Sequence, residues 1–286
     1  MSNASEIYTI IAALNKAEET MDLKKNWKSK DEIQDVFLKM LKTGRNDIIG
    51  EIELEVSDNA DKINTFLKNK GFSIMLEPFP HDTIGFASIL DLIMEWLFVG
   101  EKIKIDSKKG EKYDGVRIKK GGVTFFVSTG LGYEQTIACI QTISGDMVFI
   151  MVPKKPVEGL DLINMTDTIY KNMDKLPDVY GGLRFPMVDL DITNDMRWLT
   201  GLSTINKSNM PAEISQAIQQ IKFKMNDKGT RVKSGTAIGI TLLATIPKPD
   251  LIINEPFIVW VERHNIEMPI MAAYVTEESW KDPGNL

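Results

Sequence analysis

The sequence predicts a single α+β domain, and two observations lead to that class. Segments with strict alternation or continuous apolar runs, which predict strands, are interspersed with segments of helical spacing, without regular βαβ units. There is no internal repeat and no long flexible linker. With 286 residues, 43% of them hydrophobic, the chain can bury one large core. We therefore predict one domain spanning residues 1–286.

The first third of the chain predicts five elements. Residues 8–14 form a short continuous apolar run, typical of a buried strand. Helical spacing over residues 31–42 predicts a helix with Ser29 or Asp31 as its cap and Gly44 as its end. Three elements follow: a half-exposed strand at 51–56, a helix at 59–70 ended by Gly71, and a long strand at 83–97 that is apolar on both faces.

The rest of the chain predicts mostly strands. The predicted strands and helices, in chain order, are strands 122–129, 135–143 and 146–152, helix 160–173, alternating strand 183–192, short helices 195–202 and 212–220, strand 221–225, and a hairpin of 257–263 with 270–275.

Charge and composition exclude several classes. The net charge of -6 disfavours nucleic acid as a partner, and the lysines between Lys102 and Lys120 alternate with acidic residues, as in a solvated hairpin. No apolar run is long enough for a membrane span, and no signal-peptide core opens the chain. The single cysteine, Cys139, excludes an intrachain disulfide. We expect a cytoplasmic protein, or an extracellular one if its natural start lies upstream.

The sequence offers no catalytic constellation. The two histidines, His81 and His264, are far apart, and no metal or cofactor motif is present, so neither is predicted. A carboxylate site could be suggested by Asp189, Asp191 and Asp195. The first two alternate with apolar residues, however, which is more typical of the solvent-exposed face of a strand. With no nucleophile–base pair visible, we expect a protein that is not an enzyme.

A family resemblance emerges near the C-terminus. Residues 214–218 followed by Asn226-Asp227-Lys228-Gly229-Thr230 resemble the helix, strand and hinge of serpins. Residues 254–260 resemble the serpin C-terminal signature, and residues 263–265 with 270–273 resemble its last two B-sheet strands. Upstream segments match in the same order: 51–56, 63–71, 83–96, 147–153 and 183–186.

The resemblance implies a serpin-like fold: a large central mixed β-sheet (sheet A), B and C sheets, and a mobile reactive loop, lacking the N-terminal helices. Residues 1–50 are the divergent N-terminal part, in which residues 8–15 are similar to a sheet A strand, and residues 226–256 are the hinge and reactive loop. Because the strand at 83–96 is apolar underneath, either the N-terminal segment packs differently or another chain covers it. We therefore predict self-association or a partner chain on the back of sheet A.

The resemblance also implies site residues. The hinge begins at Gly229, and alternation places Thr230, Val232, Ser234 and Thr236 inward and Arg231 and Lys233 outward on an inserted strand. Counting forward from the hinge places the scissile bond between Leu243 and Ala244, whereas counting back from Pro256 points nearer Thr245. Gln219 and Ser88 occupy shutter-like positions.

The implied function is inhibition of a protease, which is trapped when the cleaved loop of a metastable molecule enters sheet A. Leu243 suits a serine or cysteine protease with an apolar primary pocket. The alternative is a non-inhibitory serpin-fold protein with a structural, binding or decoy role. The intact loop favours the first reading. The missing N-terminal helices, and Gln219 and Ser88 in place of the family's usual shutter residues, favour the second.

Overall fold

A computed structural model describes residues 1–177, 179–228 and 248–286 of the chain. Within these residues there are four α-helices: α1 (Tyr8–Thr20), α2 (Glu32–Gly44), α3 (Ala60–Asn69) and α4 (Leu160–Lys171). None of the helices in the described ranges is both long and apolar enough to cross a membrane.

Seventeen strands accompany these helices in the described residues. They are β1 (Asn3–Ser5), β2 (Ile52–Ser57), β3 (Gly85–Leu90), β4 (Glu101–Asp106), β5 (Lys112–Lys119), β6 (Val123–Ser128), β7 (Gln135–Gln141), β8 (Met147–Met151), β9 (Met173–Lys175), β10 (Gly182–Pro186), β11 (Val188–Asp195), β12 (Ser203–Ile205), β13 (Pro211–Glu213), β14 (Ile218–Met225), β15 (Leu251–Ile252), β16 (Phe257–Glu262) and β17 (Met271–Val275). Together with the helices they confirm the predicted α+β class.

The largest sheet has seven strands in the order β1-β17-β16-β8-β7-β6-β9. Its central strands are continuous apolar runs, which suits strands buried on both faces. Phe149 and Trp260 stack at its centre with ring centroids 5.0 Å apart. The predicted final hairpin is confirmed as β16 and β17, which pair antiparallel beside β8.

A second sheet has the order β15-β10-β5-β4. The lysine-rich stretch predicted as a solvated hairpin is its β4–β5 pair. β15 runs parallel to β10, and Asp250, just before β15, accepts hydrogen bonds from Arg117 and Arg184. Residues 248–252 are thereby fixed to this sheet.

Residues 8–14 form a helix, so the predicted strand there is wrong. α1 buries Tyr8, Ile11, Leu14, Ala17 and Glu18, which recur at the three- to four-residue intervals of a helix. Ile10, Ala12 and Ala13 between them are apolar as well, which hid the period. α1 packs against β3 and supplies the cover that the sequence analysis left open. A partner chain is therefore not needed to cover this face.

Four other predicted elements differ from the structure. The strand at 183–192 is divided at Met187 into β10 and β11, which lie in different sheets. Residues 212–220 form no helix: their ends belong to β13 and to the start of β14, where pairing with β12 and β11 overrides local propensity, and residues 214–217 between them are irregular. Residues 195–202 contain only a short 3-10 turn at Arg197–Leu199. The long strand at 83–97 is regular only in β3, and Ile93 and Leu97 beyond it are exposed.

Candidate functional site

The strands β3 and β14 border an open gap. Among the described strands β3 pairs only with β2, and β14 pairs only with β11. Residues of both strands line one cavity of about 670 Å³, whose floor includes Ile10, Ala13 and Ala17 of α1. A strand placed here would find a backbone edge on each side.

One end of the gap is closed by two hydrogen bonds. The indole Nε1 of Trp96 donates to the backbone oxygen of Asn226 at 2.8 Å, and the amide of Gly100 donates to the oxygen of Asp227 at 2.8 Å. The side chain of Asn226 also accepts from the amide of Lys228 at 2.9 Å, a local bond typical of a turn. The chain thus leaves β14 and turns at the closed end.

Further along the gap, the first turn of α1 joins the two strands. The Ser88 hydroxyl of β3 donates to the backbone oxygen of Thr9. The Gln219 amide of β14 donates to the backbone oxygen of Glu6 at 2.7 Å, and Asn194 of β11 donates to Gln219 at 2.9 Å. Since Ser88 and Gln219 meet this turn while Trp96 and Asn226 meet at the closed end, β3 and β14 run in the same direction.

Glu6 is a buried carboxyl beneath the gap. It is 5% exposed, and its Oε1 accepts from the amides of Tyr8 at 2.5 Å and Thr9 at 3.0 Å. These are free amides at the start of α1, so the carboxylate caps the helix. Burial nevertheless raises the pKa of Glu6 from 4.5 to about 7, against the opposing effect of these hydrogen bonds and of the Thr9 hydroxyl.

The segment after α3 crosses the outer side of the gap. The amides of Ser73 and Glu77 donate to the side chains of Gln220 and Gln216 at 2.8 and 2.9 Å. Lys222 donates to the oxygen of Gly71 at 2.8 Å. Apolar side chains of the segment pack with α3 and β3 in a small second core, which includes Phe72, Ile74, Leu76 and Phe79. A strand entering the gap would have to displace this segment.

The predicted site residues fall into two groups. Gln219 and Ser88, predicted as shutter-like, lie on the two strands that border the gap. The predicted hinge and scissile-bond residues lie outside the described residues: Gly229, Thr230, Val232, Ser234, Thr236, Leu243 and Ala244.

The sequence analysis missed Glu6, Thr9 and Asn194. The available signal was the position of Glu6 just before a run whose buried residues recur every three positions. An acidic residue there is typical of a helix start.

Other candidate groups are engaged elsewhere. Asp191 accepts from Gln220 and lies 3.3 Å from Lys222, and Asp195 pairs with Arg197. The Cys139 thiol is buried, and burial raises its pKa to about 12, so it packs as a small apolar group. Within the part of the chain that the structure describes, no cluster of three or more candidate ligands could hold a metal.

Among known proteins, the chain is similar in sequence to a distant relative. Alpha-1-antiproteinase F of Cavia porcellus is 22% identical to this chain over 147 residues, which is 47% of this chain and 36% of that protein. The chain thus spans about a third of the length of this curated relative. No model of a protein family matches the chain.

Solved structures match over nearly the whole chain. Serpin48, a highly specific serpin of the insect Tenebrio molitor, has a TM-score of 0.59 at 14% identity, covering 96% of this chain and 91% of its own. Mouse protein Z-dependent protease inhibitor gives 0.59 at 13%, covering 96% and 90%. Human thyroxine-binding globulin complexed with thyroxine gives 0.59 at 11%, covering 96% and 91%. The chain has the serpin fold, and the serpin resemblance predicted from its sequence is confirmed.

Proposed function

We propose that the protein inhibits a protease by inserting its cleaved reactive loop as a new strand between β3 and β14. The observation that carries this proposal is the gap itself: within the described residues, β3 and β14 line one cavity and are not paired to each other. The protein supplies a bait segment and a site for the inserted strand, and it needs no catalytic residues of its own.

The length of the gap matches the predicted hinge. An inserted strand would follow β14 after a turn and run antiparallel to it. If residue 230 lies opposite Met225, then Thr236 lies opposite Gln219, at the first turn of α1. The predicted alternation from Thr230 to Thr236 therefore reaches from the closed end of the gap to this turn.

Backbone hydrogen bonds supply the driving force. A seven-residue strand between two neighbours forms on the order of ten ladder bonds, each about 0.5–1.5 kcal/mol net. Inward side chains meet Ala13 and Ala17 of α1, where there is room for small groups. Thr230, Val232, Ser234 and Thr236 are small or medium-sized and uncharged, so they suit this floor.

The class of target protease is inferred from the predicted cleavage site. With Leu243–Ala244 as the scissile bond, the enzyme would be a serine or cysteine protease whose primary pocket is apolar. The test is to incubate the protein with chymotrypsin-like and cysteine proteases and to look for a complex that survives boiling in detergent. Loop-cleaved protein should also unfold at a higher temperature than intact protein.

Two matched variants sharpen this test. Ser234→Arg places a charge inward and should turn the inhibitor into a substrate, which is cleaved without a stable complex. Lys233→Arg keeps the charge at a neighbouring outward position and should leave complex formation unchanged. Equal behaviour of the two variants would contradict insertion in the predicted register.

The second candidate is a non-inhibitory binding role. Residues 71–77 are hydrogen-bonded to Gln220 and Lys222 of β14 and to Gln216 just before this strand. These bonds favour a gap that stays covered. Cleavage without a detergent-stable complex and without a gain in thermal stability would select this candidate.

A further inference from the structure

We propose that Glu6 is a pH-sensing residue that sets how readily β3 and β14 separate, with protonation holding the gap closed and ionisation favouring its opening. This inference deepens the proposed function, because it concerns regulation of the same gap. It depends on the position of Glu6 at the start of α1, where the chain is hydrogen-bonded to both strands.

The geometry makes Glu6 part of the connection between the strands. Moving β14 away from β3 must break the bond from Gln219 to the Glu6 oxygen or the bond from Ser88 to the Thr9 oxygen. The Glu6 side chain lies at the same place, since its Oε2 accepts from the Thr9 hydroxyl and lies 3.5 Å from the Gln219 amide nitrogen. Separation of the strands would therefore admit water to this carboxyl.

No charged partner compensates Glu6 in the described residues. The side chains that meet this turn from β14, β11 and β3 are Gln219, Asn194 and Ser88, none of which titrates. The nearest charged groups along β11 and β14, Asp195 and Lys222, are paired with Arg197 and Asp191. Burial and hydrogen bonds alone account for the shifted pKa of Glu6.

The sign follows from linkage. The closed gap raises the pKa of Glu6 from 4.5 to about 7, so the closed form binds a proton that a hydrated carboxyl would release. Opening is therefore favoured increasingly as the pH rises from about 4.5 to about 7, and the effect levels off above that. If opening restores the ordinary pKa in full, the open population rises about 25-fold between pH 5.5 and pH 8.

The test measures opening without relying on loop insertion. In an Ala17→Cys protein the new thiol lies on the floor of the gap, while the native Cys139 is buried and resists modification. The rate of thiol labelling is compared at pH 5.5 and pH 8 with and without Glu6→Gln, so that the intrinsic pH dependence of the thiol cancels. We expect an excess of about 25-fold at pH 8 that Glu6→Gln abolishes. The same pH dependence in both proteins would overturn the inference.

Two further variants test whether the pH dependence of labelling comes from Glu6. Glu262→Gln removes another buried carboxyl, which does not line the cavity and whose pKa is raised to about 8 by burial and by Asp167. It should leave the labelling profile unchanged. Thr9→Val removes a hydrogen bond that lowers the pKa of Glu6, so the midpoint should move to higher pH, a shift that serves if Glu6→Gln fails to fold. An altered profile in Glu262→Gln, or an unmoved midpoint in Thr9→Val, would count against the inference.

A second readout separates this inference from the proposed function. A labelled synthetic peptide copying residues 230–241 is added to the protein at each pH. Insertion that accelerates with pH in the native chain and stays constant in Glu6→Gln supports both ideas. A peptide that inserts at no pH, while thiol labelling still depends on Glu6, refutes insertion and leaves the pH-sensing role supported.

Discussion

Asp250 ties residues 248–252 to the four-stranded sheet. Its replacement by Asn should destabilise the protein. Its side chain is only 4% exposed, and it accepts from Arg117 Nε at 2.7 Å, Arg117 Nη2 at 3.2 Å and Arg184 Nε at 2.7 Å. The two arginines hold the pKa of Asp250 below its ordinary value, against the effect of burial. Asp250→Asn removes the charge and keeps the shape of the side chain.

The magnitude follows from this geometry. Breaking a buried ion pair costs about 3–5 kcal/mol, but both arginines are partly exposed, so we expect a loss of about 2–4 kcal/mol in the free energy of unfolding. Urea unfolding at pH 7 measures it. Asp114→Asn, which breaks the exposed pair with Lys104, is the matched control and should cost less than about 1 kcal/mol.

The pH dependence offers a separate check on Asp250. Because its folded pKa is depressed, its contribution is complete above the ordinary carboxyl pKa and is lost as the pH falls through the folded value. The difference between the native chain and Asp250→Asn should therefore shrink below about pH 4. A cost equal to that of Asp114→Asn, or one that persists at low pH, would refute this account of Asp250.

Two further variants and one labelling experiment test the structure. Trp96→Phe removes the hydrogen bond to the Asn226 oxygen and should accelerate insertion of the 230–241 peptide several-fold; an unchanged rate would exclude this bond as a restraint. Arg263→Met leaves the buried Asp146 and the neighbouring Glu51 without their shared partner and should cost about 3 kcal/mol in urea unfolding, whereas a cost below about 1 kcal/mol would show the pairing to be incidental. Cys139 should react with a thiol reagent no faster than the protein unfolds, so rapid labelling of folded protein would contradict its burial.

Local signals located some elements well. α3 has Asn59 as a side-chain cap and is followed, just after its C-cap Lys70, by Gly71, whose φ of +85° suits glycine, so both boundaries could be read from the sequence. β16 and β17 are continuous apolar runs that remain buried in the seven-stranded sheet. In these elements the local pattern and the tertiary environment agree.

The gap is where local signals failed. Tyr8 and Ile11 of α1 face the core, while Ile10 and Ala13 line the cavity, so both faces of this part of the helix are apolar and no period remains to be read. Glu6 could not be recognised as a cap while the following run was predicted to be a strand. Its shifted pKa depends on burial beneath β3 and β14, which only the tertiary structure provides.

The two restraints on the gap should act at different stages of insertion. β14 ends beside Trp96, so a strand that forms directly after it would first have to open the bonds to Asn226 and Asp227. Gln219 and the first turn of α1 lie seven residues down β14, about 23 Å away, and are reached only by a nearly complete strand.

A short peptide therefore distinguishes the two restraints. A peptide copying residues 230–233 should bind faster in Trp96→Phe and show little response to pH, because it ends before Gln219. The 230–241 peptide should respond both to Trp96→Phe and to the ionisation of Glu6. Equal pH dependence for the two peptides would mean that the α1 turn yields before the strand reaches it, and that the gap opens along its whole length in one step.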